Sequence, residues 1–152
     1  MNVLDNQHLQ DPYRAPYEGA YLVRKGGGIG PLDIWLTAPL RPNPACGQGD
    51  RDTDALDCRY EELGGGHSLR IEEFGPDGQD RIDGRRWGRY YEAILALGDG
   101  RAVLVADISG FTGEGEVGPG MAAPPLTKEQ LRTFVLRPEM PAGLKPWGTP
   151  TG

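Results

Sequence analysis

Glycine and proline set the limits on what this chain can fold into. They account for 24 and 14 of its 152 residues and fall between short apolar runs, so they cut the chain into segments of strand length. Chains with this much glycine and proline are often disordered. Here the segments between the breaks keep a regular apolar pattern, which favours a turn-rich β domain. The length fits one domain.

Residues 21–24 form a first short strand. The run Gly26-Gly27-Gly28-Ile29-Gly30-Pro31 follows. A phosphate-cradling loop would need a helix opening directly after it. Instead Leu32, Ile34 and Leu36 alternate with Asp33, Trp35 and Thr37 over 32–38, the pattern of a half-buried strand, so the glycines read as a hairpin turn. Residues 56–63 and 68–74 flank Gly64-Gly65-Gly66 and pair as a hairpin. The return strand sets Leu69 and Ile71 on one face and Arg70 and Glu72 on the other. Residues 87–97 are the longest strand, with Trp87, Tyr91, Ala93, Leu95 and Leu97 on one face and Tyr90, Ile94 and Ala96 opposite. Apolar residues on both faces predict a central strand covered on each side, which returns through Gly98-Asp99-Gly100 into 102–109.

One helix is expected, over 127–137. Thr127 is a good N-cap and Gln130 completes a capping box, while Leu126 and Leu131 form the matching hydrophobic staple. Leu131, Phe134 and Val135 make an apolar stripe, and Pro138 stops the helix. The predicted fold is therefore α+β, an antiparallel sheet of five or six strands with one C-terminal helix packed on one face. Residues 1–18 read as a flexible arm, 19–138 as the single domain, and 139–152 as a Pro/Gly-rich tail.

Eleven residues separate Cys46 from Cys58. Zinc would need closer cysteine pairs or histidines at ligand spacing, and only His8 and His67 are available. The Gly/Asp-rich loop suits a disulfide, which places the chain outside the reducing cytosol. Two free thiols in a cytosolic protein are the alternative. The first ten residues have no basic start and no apolar core of a secretory signal, so the disulfide reading implies a chain trimmed of its export leader. No apolar stretch approaches the ~20 residues of a membrane helix. Any membrane association would run through an anchor upstream.

Within the same loop, Asp50, Asp52, Asp54 and Glu61 fall at positions 1, 3, 5 and 12 of a calcium loop. Ala55 stands where that loop turns on glycine, and Asp57 where it carries an apolar residue. A solvated acidic loop is the reading favoured over calcium. No other cofactor is expected.

The net charge of −6, from 16 basic and 22 acidic side chains, argues against nucleic acid, whose phosphates require neutralising cations. The basic and aromatic group Arg85, Arg86, Trp87, Arg89, Tyr90 and Tyr91 is the candidate ligand-binding edge, with core packing as the competing role of the aromatics. The run Val105-Ala106-Asp107-Ile108-Ser109-Gly110-Phe111-Thr112 resembles the first metal-binding strand of class III nucleotidyl cyclases. Those enzymes need a second aspartate downstream, and Asp107 is the last aspartate of the chain. A motif without its context is weak, so Asp107 is read as a strand residue. His67 and Ser68 are neighbours on a strand and point apart, which leaves no catalytic residue to name.

The glycine turn with its strand, the cysteine pair, the two later hairpins and Pro124-Pro125-Leu126-Thr127-Lys128-Glu129-Gln130-Leu131 together resemble extracytoplasmic domains of actinobacterial lipoproteins and membrane-anchored regulatory proteins. The resemblance implies export and anchoring, and no reaction. The expected function is a non-catalytic binding or sensing module for a protein or cell-envelope component. The alternatives are a small secreted hydrolase with a carboxylate-based site, or a secreted effector or inhibitor that presents the disulfide loop.

Overall fold

The computed structural model describes residues 2–6, 19–37, 43–46, 55–76, 85–113, 118–138 and 140. In chain order the elements are β1 (Asn2–Asn6), β2 (Gly19–Lys25), β3 (Gly28–Thr37), β4 (Asp57–Gly64), β5 (His67–Phe74), β6 (Arg85–Trp87), β7 (Tyr90–Ala96), β8 (Ala102–Ile108), β9 (Phe111–Gly113) and α1 (Lys128–Val135). Seven strands make one antiparallel sheet in the order β1-β2-β3-β8-β7-β5-β4, and β6 and β9 form a separate two-stranded ribbon.

The α+β architecture with a single C-terminal helix is the one the sequence predicts. Its six expected strands are β2, β3, β4, β5, β7 and β8. Three further strands lie outside these six: Asn2–Asn6, within the expected arm, pairs with β2, while Arg85–Trp87, which takes up the start of the strand expected over 87–97, pairs with Phe111–Gly113, within an expected loop. The β2–β3 hairpin turns on Gly26 and Gly27, at φ +57° and +83°. Positive φ at both central positions gives a turn whose twist matches the strands.

Strict alternation gives the sheet two inner faces. On the helix side the register aligns Leu69, Leu95 and Val103 in one row and Ile71, Ala93, Val105 and Ile34 in the next. Leu126, Leu131, Val135 and Met140 pack over these rows to complete the main core. The helix starts as its sequence dictates. The Gln130 backbone N–H donates to Thr127 Oγ1 at 3.1 Å, and the Thr127 N–H donates to Gln130 Oε1 at 2.9 Å. It ends at Val135, two residues short of the expected 137, with Leu136 as C-cap.

The strand expected over 87–97 is broken. Trp87 belongs to β6, and β7 begins at Tyr90. The Gly88 N–H bonds the Gly110 carbonyl at 2.8 Å, which draws this point of the chain out of the sheet. Tyr91, Ala93, Leu95 and Leu97 keep the predicted shared face, while Trp87 joins Phe74, Tyr90, Ala106 and Ile108 in a second cluster on the other side.

Candidate functional site

The third helix-side row carries charge. Register sets Asp57, Glu73, Tyr91, Asp107 and Leu32 side by side across β4, β5, β7, β8 and β3. The N-terminus of α1 meets this row, and a helix N-terminus favours carboxylates. Lys128 donates to Asp57 Oδ2 at 2.7 Å, pairs with Glu73 Oε1 at 2.6 Å, and sits 5.5 Å from the Tyr91 ring centre. Arg89 reaches Glu73 Oε2 through Nε at 3.1 Å and Nη2 at 2.5 Å. The hydrogen bond from Lys128 holds the carboxyls of Asp57 and Glu73 below their usual range, and Arg89 adds to the effect at Glu73. Burial pulls the Lys128 ammonium down, but the bonds to Asp57 and Glu73 outweigh it and its affinity for the proton rises.

Asp107 behaves differently. It is fully buried, and its carboxylate accepts the Leu126 N–H at 3.2 and 3.3 Å. Desolvation raises its pKa to about 8, against the lowering influence of the Leu126 bond and of Lys25. Lys25 Nζ donates to the Pro125 carbonyl at 3.2 Å, so the segment entering the helix is held from both sides.

Between β4 and α1 lies a groove of about 310 Å³. Leu69 and Ile71 lie at its floor, Arg59 and Glu61 line the strand side, and Lys128 and Arg132 line the helix side. Each charge has an opposite neighbour. Arg132 grips both oxygens of Glu61 at 2.9 and 2.7 Å, and Arg59 reaches Glu129 at 2.7 Å. The Arg132 bond lowers the Glu61 pKa.

On the opposite face Cys46 and Cys58 form a disulfide, with their Cα atoms 5.9 Å apart. The bond fixes residues 43–46 over β5. Asn43 Nδ2 donates to the Ser68 carbonyl and Oγ at 3.2 Å and to the Ile94 carbonyl at 2.9 Å. Arg70, fully buried, bonds the Pro44 carbonyl and pairs with Glu72 at 3.0 Å. Among the described residues, Asn43 Oδ1 and Glu72 Oε2 accept no hydrogen bond. Ser68, Arg70 and Glu72 alternate as the sequence predicts, but they are buried, because this face of the sheet is covered as well.

The expected ligand-binding edge is divided between the two faces. Tyr90 is buried, stacks on Phe74 with ring centres 4.9 Å apart, and takes the edge of Trp87 at 5.1 Å. Arg89 and Tyr91 join the charged row on the helix side. Arg85 and Arg86 lie on β6 opposite Gly113 and Thr112. Of the calcium ligands, Asp50, Asp52 and Asp54 lie outside the described residues, and Glu61 is engaged by Arg132. Among the described residues no group of three His, Cys, Asp or Glu is placed to hold a metal. No helix among them is long and apolar enough to cross a membrane.

Sequence reasoning did not single out Arg59, Lys128 and Arg132. The signal was present, since Lys128 and Arg132 are four residues apart on one helix face and Asp57, Arg59 and Glu61 alternate along one strand face. Comparison of the chain with protein families, curated proteins and solved structures finds no match.

Proposed function

We propose that this chain is a non-catalytic, extracytoplasmic binding module that recognises a polypeptide segment of a partner protein in the groove between β4 and α1. The observation that carries this reading is the composition of the groove. Its floor is apolar and its two walls carry paired charges of both signs, which suits an apolar side chain flanked by charged groups. Phosphate or nucleic acid would call for a wall of one sign. Apart from Lys128, whose pair with Glu73 is shielded from solvent, the charges on the walls are held by ion pairs at the surface, where such pairs contribute little to stability but steer and orient a partner. The disulfide supports the extracytoplasmic placement.

The hydrolase alternative finds its nearest match in Glu72 and Glu92, which face one another across β5 and β7. Glu72 is buried and bonded to Arg70, so it is poorly placed to meet a substrate.

Selection of a phage-displayed random peptide library on the oxidised protein tests the groove. Enriched peptides should share an apolar residue flanked by charges and should bind Arg132→Ala at least about tenfold more weakly, a change of about 1.4 kcal/mol. No enrichment, or peptides that ignore the Arg132 substitution, would remove the groove as the binding site.

A further inference from the structure

The sheet ends at β4. Its inner side pairs with β5, and among the described residues no strand covers its outer side. Eight residues of open edge, with side chains half-buried to exposed on both faces, are a template for another strand.

We propose that β4 pairs with β4 of a second copy, antiparallel, about a two-fold axis through Tyr60, so that two seven-stranded sheets become one. The charges along the strand select this register. A two-fold axis through the sheet keeps each face with itself, so a residue can only meet one an even number of positions away. An axis at Arg59 sets Arg59 on Arg59 and Asp57 on Glu61. An axis at Glu61 or Glu62 sets a carboxylate on itself. An axis at Cys58 leaves only three residues of the strand paired. At Tyr60 the ladder spans 57–63, each Arg59 meets the second copy's Glu61, and Tyr60 meets Tyr60 on the other face. Opposite charges and aromatic pairs are the cross-strand contacts that stabilise antiparallel pairs, while like charges oppose them.

The ion pairs already present extend through this contact. Arg59 is bonded to Glu129, and Glu61 to Arg132. Across the axis they form a line of alternating sign: Glu129, Arg59, the second copy's Glu61, the second copy's Arg132. Leu56, 66% exposed at the start of the edge, arrives beside Gly64 of the second copy, where no atom lies within 4 Å of the position a Cβ would take. The dimer does not depend on what occupies the groove, and it would place two grooves side by side on one face.

Sedimentation equilibrium across the micromolar range tests the proposal on the oxidised full chain. The wild type should fit a monomer–dimer equilibrium. Arg59→Glu and Glu61→Arg, each alone, set like charges at both cross-strand positions and should weaken self-association about tenfold or more. An equimolar mixture of the two variants restores opposite charges at both positions, so it should dimerise as the wild type does. That rescue separates the contact from any damage to the fold. A wild type that stays monomeric would overturn the proposal and make the charges of β4 a device that blunts the edge. So would a dimer that persists in both variants, or variants that do not recover on mixing.

Discussion

Asp107 and Leu126 are joined by a hydrogen bond in which a fully buried carboxyl group accepts the amide of the residue just before the helix N-cap. Its strength is linked to pH. The Asp107 pKa rises from 3.8 in a free side chain to about 8 in the fold, so between these limits the folded protein holds a proton that the unfolded chain has released. Stability from this group is therefore complete below about pH 4 and falls as pH rises through about 8, by about 1.4 kcal/mol per unit. The paired carboxylates Asp57, Glu61 and Glu73 act in the opposite sense, and their contribution is lost only as pH falls below about 4.5. Asp107→Asn keeps an acceptor for Leu126 and removes the titration. Urea midpoints should show the variant close to wild type at about pH 4 and increasingly more stable above it, with a gap that widens by about 3 kcal/mol between about pH 5.5 and about pH 8. Parallel pH profiles for the two proteins would show that Asp107 carries no proton in the fold.

Lys128 occupies the first position of α1, where a cation opposes the helix dipole. It is tolerated there because Asp57 and Glu73 hold it. Its side chain is 14% exposed and that of Glu73 is 10%, so this pair is shielded from solvent more than the others at the helix. Lys128→Met should cost about 1–3 kcal/mol, since Glu73 is left with Arg89 alone. Arg132→Ala, which breaks the half-exposed pair with Glu61, should leave the urea midpoint near the wild-type value. Equal losses in the two variants would mean that Glu73 is solvated as freely as Glu61.

The sequence announces the parts of this fold that are local. Alternation over 32–38 and 68–74 gives β3 and β5, and the pair Thr127 and Gln130 gives the helix start. The break at Gly88 was hidden, because it depends on a bond to Gly110, twenty-two positions away. Arg70 and Glu72 look like a solvent face, and only the covering of that face by 43–46 shows that they are buried. The same holds for the site. Each wall of the groove is readable alone, as alternating charges on a strand and as two basic residues one helical turn apart. Their meeting depends on α1 returning across the sheet to β4, some seventy residues from its partners.

The disulfide ties residues 43–46 to the sheet and, with them, the cover over Arg70 and Glu72. Replacing both Cys46 and Cys58 by Ser should cost about 3 kcal/mol from loop closure alone. Loosening the bonds of Asn43 and Pro44 to β5 would add to that loss. Thiol titration of the unreduced protein in denaturant should find no free thiol, and the reduced protein two. Two thiols before reduction would place the chain in a reducing compartment and remove the main support for export.

Gly30 has the strictest steric requirement in the sheet. A Cβ there would lie 2.3 Å from the Ile108 carbonyl oxygen and 3.0 Å from Pro125 Cγ. Both obstacles are stiff, one a backbone atom of the neighbouring strand and the other a ring of the segment that leads into α1. Gly30→Ala should therefore cost about 3 kcal/mol or more. Gly26 is a useful contrast, since its Cβ position is open and its φ is +57°; Gly26→Ala should cost only the left-handed penalty of about 1–2 kcal/mol. Gly30→Ala should also lift Pro125 and Leu126 away from Asp107, so its pH profile between about 5.5 and 8 should differ from the wild type where that of Gly26→Ala does not. If the two variants are equally mild and keep the wild-type profile, the entry to the helix does not seat on Gly30, and the link from Asp107 to Leu126 is held by Lys25 and by the packing of Leu126 in the core.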